Sequence, residues 1–270
     1  MADQSATADA LTAQLACSVC RTRLPLLDDS PTVRCRACGA EFARGRYVLD
    51  LTPPERFRAR SGLWEAWDRI QANGMAGYLA DPERNLSIGQ RDDCSAFRRF
   101  SRCRGLVLDV GCGPQAWPAY FDRSPLVRYV GIDPLADLNP SEFLKFAGLG
   151  EFLPFASGGF DHVLFATTLD HFVDPDTVLT EAVRVLKSDG EIDVWLGEKD
   201  PAAPGPARSP EWYQRLEQPA LADDLFHIKR MNDGDVQALV ERAGLTVVDR
   251  ERHQVDQYRA NCFYRLRVAP

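Results

Sequence analysis

The sequence predicts an α/β fold: a doubly wound, mostly parallel sheet with helices on both faces, preceded by a small cysteine-rich module. Three observations carry this reading. From Gly105 onward, apolar runs of strand length alternate with amphipathic helical stretches, the pattern of parallel strands joined by crossover helices. One of those strands (106–111) runs straight into a turn bearing two glycines, Gly111 and Gly113. Nearer the start, two CxxC pairs, Cys17/Cys20 and Cys35/Cys38, stand fourteen residues apart.

A chain of 270 residues holds one full-sized domain plus an accessory module. Its 45% hydrophobic and 26% charged shares are those of an ordinary globular protein. No apolar run has the length of a membrane span, and the first residues carry two acids and no basic stretch, unlike a secretory signal. The expected location is cytoplasmic, with no membrane partner. The net charge of −7 divides into +3 over residues 1–104 and −10 over 105–270. Enzymes of nucleic acids carry a stronger basic footprint. Of eight cysteines, four fall in the two pairs, while Cys94, Cys103, Cys112 and Cys262 are scattered. Without an export signal, paired cysteines point to metal rather than to disulfides.

Taken in order, residues 1–15 are small and polar and read as a flexible tail. Residues 16–50 form the cysteine module. The segment 51–56, LTPPER, breaks any helix and reads as a linker. A helix is expected over 61–74, where Leu63, Trp64, Trp67 and Ile70 recur at helical spacing, and a second over 92–103. Residues 51–104 thus become linker and helices lying over the site, and 105–270 the main domain. Its strands are 106–111, 127–133, 160–167 and 191–197. A helix over 175–187 carries a stripe of Val178, Leu179, Ala182, Val183 and Leu186; Pro175 suits its first turn and Asp174 its cap. The proline-rich stretch 198–210 reads as an exposed loop. A helix over 233–243 stops at Gly244, and 245–253 and 257–269 read as closing antiparallel strands.

The turn Val107-Leu108-Asp109-Val110-Gly111-Cys112-Gly113-Pro114 concentrates the chemistry. Glycine admits strained backbone angles and close approach of a ligand. A helix beginning just after the turn would offer its unpaired N–H groups to that ligand. Twenty residues past Gly113, Asp133 ends the next strand, where an acid can hold a ribose diol. The third glycine of a dinucleotide fingerprint is absent: Ala116 stands there, followed by Trp117-Pro118. The turn therefore suits a nucleoside that carries no diphosphate.

VLDVGCGP, GIDP, EFLPFASGGFDHV and TTLDHFVDP, in that order, resemble the successive motifs of class I methyltransferases, the type-11 group in particular, over roughly 100–268. The resemblance implies a seven-stranded Rossmann-like sheet and S-adenosylmethionine as cofactor. It places Gly111, Cys112 and Gly113 against the methionine part, Asp109 beneath it, Asp133 and Pro134 at the ribose, Glu151 and Phe152 on the adenine loop, and Thr167 at the cleft. Where the family often carries an Asp two residues before that Glu, this sequence has Leu149.

Each CxxC forms a knuckle that aims two thiolates at one point, and two knuckles supply the sulfur set of a closed zinc site. Leu24 and Phe42 offer a minimal core beside it, and Gly39 a turn. So small a module needs the metal for folding. The module reads as a zinc ribbon with a structural Zn(2+) on Cys17, Cys20, Cys35 and Cys38.

His171, just past the strand 160–167, is the candidate general base, with Asp170 to orient it. His162, His227 and His253 read as structural or exposed. Among Trp64, Trp67, Trp195, Trp212 and Tyr213, the last two are lid candidates beside the proline-rich loop. Three functions are consistent with these residues. The first is methyl transfer to a small-molecule acceptor: a metabolite, sugar or natural-product intermediate. The second is methylation of an RNA base. A zinc ribbon ahead of a methyltransferase domain resembles the bacterial ribosomal-RNA guanine-N1 family, and Arg21, Arg23, Arg34, Arg36, Arg44 and Arg46 would then meet phosphates. The third is a non-catalytic cofactor-binding protein whose ribbon docks a protein partner.

Overall fold

The computed structural model describes residues 14–25, 30–55, 58, 62–82, 91–121, 123–200, 202–203 and 209–269. The cysteine module contributes β1 (Thr32–Arg34), β2 (Glu41–Ala43) and β3 (Leu49–Asp50), followed by α1 (Gly62–Ala80) and α2 (Asp92–Ser101). The main domain then runs β4 (Gly105–Val110), β5 (Val127–Ile132), β6 (Leu144–Ala147), β7 (Phe160–Ala166), α3 (Pro175–Val185), β8 (Leu186–Lys199), the single turn α4 (Glu211–Gln214), α5 (Asp233–Arg242), β9 (Leu245–Gln254) and β10 (Arg259–Val268). Asp174 caps α3 by accepting the Thr177 N–H at 3.1 Å, as its position after an irregular segment predicts.

The large sheet has the order β3-β6-β5-β4-β7-β8-β10-β9. Its pairs are parallel except those of β10, which runs antiparallel to both β8 and β9. Strands β4 to β10 are the seven of the expected Rossmann-like methyltransferase sheet. The sheet itself has eight, which corrects that number: β3, at the end of the cysteine module, pairs with β6 through Leu49↔Phe146 and Asp50↔Ala147. An open edge strand presents unpaired backbone groups, and here the module's exit strand covers part of them.

Alternation along the strands sends side chains to two faces. Val194, Leu196, Cys262 and Tyr264 join α3 and α5 in one core, while Trp195 and Phe263 pack with Phe97 and Phe100 of α2 in another. Helices therefore cover both faces. A second expectation needs correcting. No helix begins at the glycine turn; residues 111–121 and 123–126 form turns and bends. Pro114, Pro118 and Pro125 remove backbone donors that a helix there would need. Trp117 and Phe121 instead pack on Tyr129 and Phe143.

The cysteine module is welded to the sheet. Leu15, placed by sequence at the end of a tail, is buried and bridges Phe155, and Ala16 donates to the Pro154 carbonyl at 2.9 Å. Arg21 reaches the buried Glu181 of α3 at 2.7 Å. Asp137, four residues past Asp133, accepts the backbone N–H groups of Arg46, Tyr47 and Val48 at 2.8, 2.6 and 2.9 Å. Partial burial raises its pKa, but these donors outweigh that and hold the carboxyl below its usual range. A depressed carboxylate stabilises the fold above its unfolded pKa of about 3.9 and ceases to as pH falls through its folded value. Asp137→Asn is therefore expected to lower stability by about 1–2 kcal/mol at pH 7. The difference from the native protein should shrink toward pH 3, as read by urea unfolding; a gap that is constant with pH contradicts this role. Among the described residues, no helix is long and apolar enough to cross a membrane.

Candidate active site and cysteine cluster

The sheet order reverses at β4, with β5 and β6 on one side and β7 and β8 on the other. Ligands of open α/β sheets bind in the crevice outside the carboxyl ends of the strands at such a point. A cleft of about 380 Å³ lies there, within the range of small-molecule sites. Gly111 and Gly113 line it with φ of 86° and 69°, a region that disfavours L side chains. A Cβ on Gly111 would stand 2.5 Å from Thr168 Cγ2. Gly111→Ala is accordingly expected to cost about 2–4 kcal/mol through strain and overlap. Chemical denaturation checks this, and a loss below about 0.5 kcal/mol would contradict it.

Asp133 faces Gly113 across the turn. Its Oδ2 accepts the Gly113 N–H at 2.9 Å and its Oδ1 the Leu135 N–H at 2.7 Å. Burial raises the Asp133 pKa, opposed by those two N–H groups and by the Lys145 ammonium. One backbone donor per oxygen orients the carboxylate and leaves each oxygen a further lone pair. That is the acceptor set a ribose diol requires, so the residues present fit the nucleoside of S-adenosylmethionine.

The other expected cofactor residues divide by position. Cys112, Pro134, Glu151 and Thr167 line the cleft with the glycines and Asp133. Asp109 does not: it is fully buried beneath the turn, bound by the hydroxyls of Tyr120, at 2.5 Å, and Tyr129. Burial pushes its pKa up to about 7, and its hydrogen-bond partner Tyr120 lines the cleft. Glu151 spends one oxygen on the N–H groups of Val173 and Asp174 at 2.9 and 3.3 Å, tying down the loop into α3. Phe152 does not line the cleft; it packs against the cluster of Trp67, Ile70 and Leu149, which does. Thr167, with φ of 61°, holds a strained backbone at the end of β7.

His171 lines the cleft, and burial pushes its imidazolium down to about 4, although about a third of the side chain stays open. It is neutral at neutral pH. Asp170 lies behind it. Of the lid candidates, Trp212 lines the cleft while Tyr213 stands behind, its ring against Phe226. The proline-rich loop beside them falls in part, at 201 and 204–208, outside the described residues. Trp195 is sealed in the α2 core. Sequence reasoning missed Gln71, Gly74, Gly77 and Tyr78, which bring α1 over the cleft with Trp67, and Phe226. The signal was the pair of glycines within a helix, which let its face approach a ligand. Burial and the Asp133 charge push the Tyr78 hydroxyl up, keeping it a neutral donor.

In the cysteine module, Cys17 Sγ lies 3.6 Å from Cys38 Sγ, and Cys20 Sγ 3.6 Å from Cys35 Sγ. All four sulfurs fall within 4.8 Å of one another. A tetrahedral zinc with 2.3 Å bonds sets sulfurs about 3.8 Å apart, so this cluster has the dimensions of a closed site.

Fold and cleft together define a class I methyltransferase architecture. Residues 108–193 match the family model described as "Methyltransferase domain", so the chain carries a domain of that class. Over 101 residues it is 35% identical to an uncharacterized methyltransferase of Mycobacterium sp. (strain JLS), a match covering 34% of this chain and 40% of that protein. Thus the chain spans well under half the length of that curated relative. Among solved structures, it is similar to the Burkholderia thailandensis 1,6-didemethyltoxoflavin-N1-methyltransferase with bound 1,6-didemethyltoxoflavin and S-adenosylhomocysteine. The TM-score is 0.51 at 18% identity, over 89% of this chain and 100% of that one. It is also similar to a chain from the complex between the Haloferax volcanii Trm112 methyltransferase activator and a protein described as a methyltransferase. There the TM-score is 0.51 at 19% identity, over 72% and 97% of the two chains. At these identities the likeness concerns the fold.

Proposed function

We propose that this protein transfers a methyl group from S-adenosylmethionine to a small-molecule acceptor such as a metabolite, sugar or natural-product intermediate. The observation that carries the reading is the Asp133 carboxylate, fixed by two backbone donors beside the Gly111–Gly113 turn at the switch point of the sheet. The cofactor supplies an electrophilic methyl on a sulfonium, and the protein's part is to position the acceptor and exclude water. Asp133 would hold the ribose hydroxyls. Gly111, Cys112 and Gly113 would pass the methionine part along their backbone. Leu149, Gly150 and Glu151 would flank the adenine, with Pro134 and Thr167 at the edges. Trp67, Trp212 and Phe226 wall the remaining space with rings, and His171, backed by Asp170, is the acceptor-side catalytic candidate.

Zinc on Cys17, Cys20, Cys35 and Cys38 would be structural, because four thiolates leave it no open position. Methylation of RNA finds less support. Arg21 is committed to Glu181, and Arg34 pairs with Glu41. Calorimetry with S-adenosylhomocysteine on the zinc-loaded protein tests the reading. Saturable one-to-one binding is the expected result, and no heat with either that product or S-adenosylmethionine overturns it. Turnover saturated by total RNA, with a steep salt dependence, would replace the small-molecule acceptor by RNA.

A further inference from the structure

Behind the acceptor side of the cleft lies a cluster that packing alone leaves unexplained. Asp170 and His171 belong to the 3-10 turn Leu169–His171 after β7, and His227 to the segment before α5. The Asp170 side chain is 5% exposed and takes part in no hydrogen bond among the described residues. Its Oδ1 stands 3.8 Å from His171 Nε2 and its Oδ2 3.6 Å from His227 Nε2. The two imidazole rings lie 4.3 Å apart, and the three ligand-type atoms fall within 4.8 Å of one another. A buried carboxylate needs a positive or hydrogen-bonding partner, and the groups it faces are these two imidazoles.

The environment of His227 sharpens the point. Its Nδ1 is 2.8 Å from Asp224 Oδ1. The same Asp224 oxygen accepts the N–H groups of Phe226 and His227, and its other oxygen takes the Arg230 Nε at 2.7 Å. A carboxylate accepts only, so Nδ1 carries the proton. The far nitrogen, Nε2, then faces the Asp170 carboxylate at 3.6 Å. A positive group between them satisfies both, whether a proton on Nε2 or a metal ion. A carboxylate that orients a histidine through its far nitrogen is the outer support of metal-ligating imidazoles.

We propose that Asp170 Oδ, His171 Nε2 and His227 Nε2 form a second metal site, for a borderline divalent transition metal such as zinc. Two imidazoles and one carboxylate suit such ions. Bonds of 2.0–2.2 Å in a tetrahedron set ligand atoms about 3.4 Å apart; the two carboxylate–imidazole separations exceed this by a few tenths of an ångström, and the three atoms, within 4.8 Å of one another, draw together on an ion. Three protein ligands leave a further position; of the three, His171 lines the cleft, the side from which an acceptor would reach the ion. On the methyltransferase reading, the metal would hold a heteroatom of the acceptor there, and His171 would act as its ligand.

Metal analysis of the full-length protein, dialysed against excess zinc and then metal-free buffer, tests this directly. Two zinc equivalents per chain are expected, one on the four cysteines and one here. His227→Ala should retain one equivalent, with binding of S-adenosylhomocysteine confirming that the cleft is folded. Asp224→Asn, which keeps all three ligands, should weaken the second equivalent by roughly 10–100-fold in a zinc titration. One equivalent in the native protein, or two in His227→Ala, overturns the site. Two equivalents without S-adenosylhomocysteine binding would sink the methyltransferase reading and leave the metal site standing.

Discussion

Asp133→Ala is expected to weaken S-adenosylhomocysteine binding by about 10²-fold. The carboxylate sits between Gly113 and Leu135, each oxygen already bound by one backbone N–H. Two ribose hydroxyls would complete its coordination. Hydrogen bonds to a charged group contribute roughly 1.5–3 kcal/mol each, and about 2.8 kcal/mol corresponds to a hundredfold change. The substitution also frees the Gly113 N–H, so the turn loses its tether to β5. Asp133→Asn keeps the shape and one acceptor oxygen, and should fall between the two. Calorimetric affinities that change less than threefold in Asp133→Ala would remove the ribose from this carboxylate.

Removal of the zinc proposed for the four cysteines should unfold far more than the cysteine module. Leu15, Leu24, Val33, Phe42 and Leu51 belong to the same apolar cluster as Phe155, Phe160 and Val178 of the main domain. A separate bead on a linker would melt alone, whereas a shared core melts as one cooperative unit. Structural zinc supplies of order 10 kcal/mol to small isolated modules. Retaining even half of that here, about 5 kcal/mol, corresponds to a fall in Tm of about 10–20 °C for a domain of this size. Cys35→Ser, or treatment with a strong chelator, should show that drop in a single transition. Cofactor affinity should fall with it, because Arg46, Tyr47 and Val48 hold Asp137 in the loop that starts at Asp133. An unchanged melting profile after complete zinc removal would reject the structural role.

Much of the architecture was legible because short-range pattern encodes it. Period-two and period-3.6 apolar spacing located β4, β5, β7, α3, α5 and the closing hairpin. β6 escaped, since four residues, Leu144–Ala147, are too few to show a period. The helix expected after the glycine turn failed because Pro114 and Pro118 and an aromatic cluster around Trp117 outweighed the precedent of similar turns. In the site, residues of the local motif were found: Gly111, Gly113, Asp133, Thr167 and His171 all line the cleft. Asp109 and Phe152 are in the motif but stand behind or beside the cavity. Strand register decides this for Asp109, and the 3-10 turn Gly150–Phe152 decides it for Phe152; a motif specifies neither.

By itself, the sequence determined the strand, turn and acid that frame the cleft, and the paired cysteines that converge in one four-sulfur cluster. Both are local: a few residues fix their own geometry through backbone angles and bond directions. Only the tertiary structure decided what covers the site. It brought Tyr78 of α1 and Phe226 to the cleft, and His227 to the side of His171, from positions 93, 55 and 56 residues away from His171 in the chain. It also joined β3 to the edge of β6. Such contacts depend on which surfaces find complementary partners after collapse, and the chain's spacing pattern records that a face is apolar without recording what it will meet.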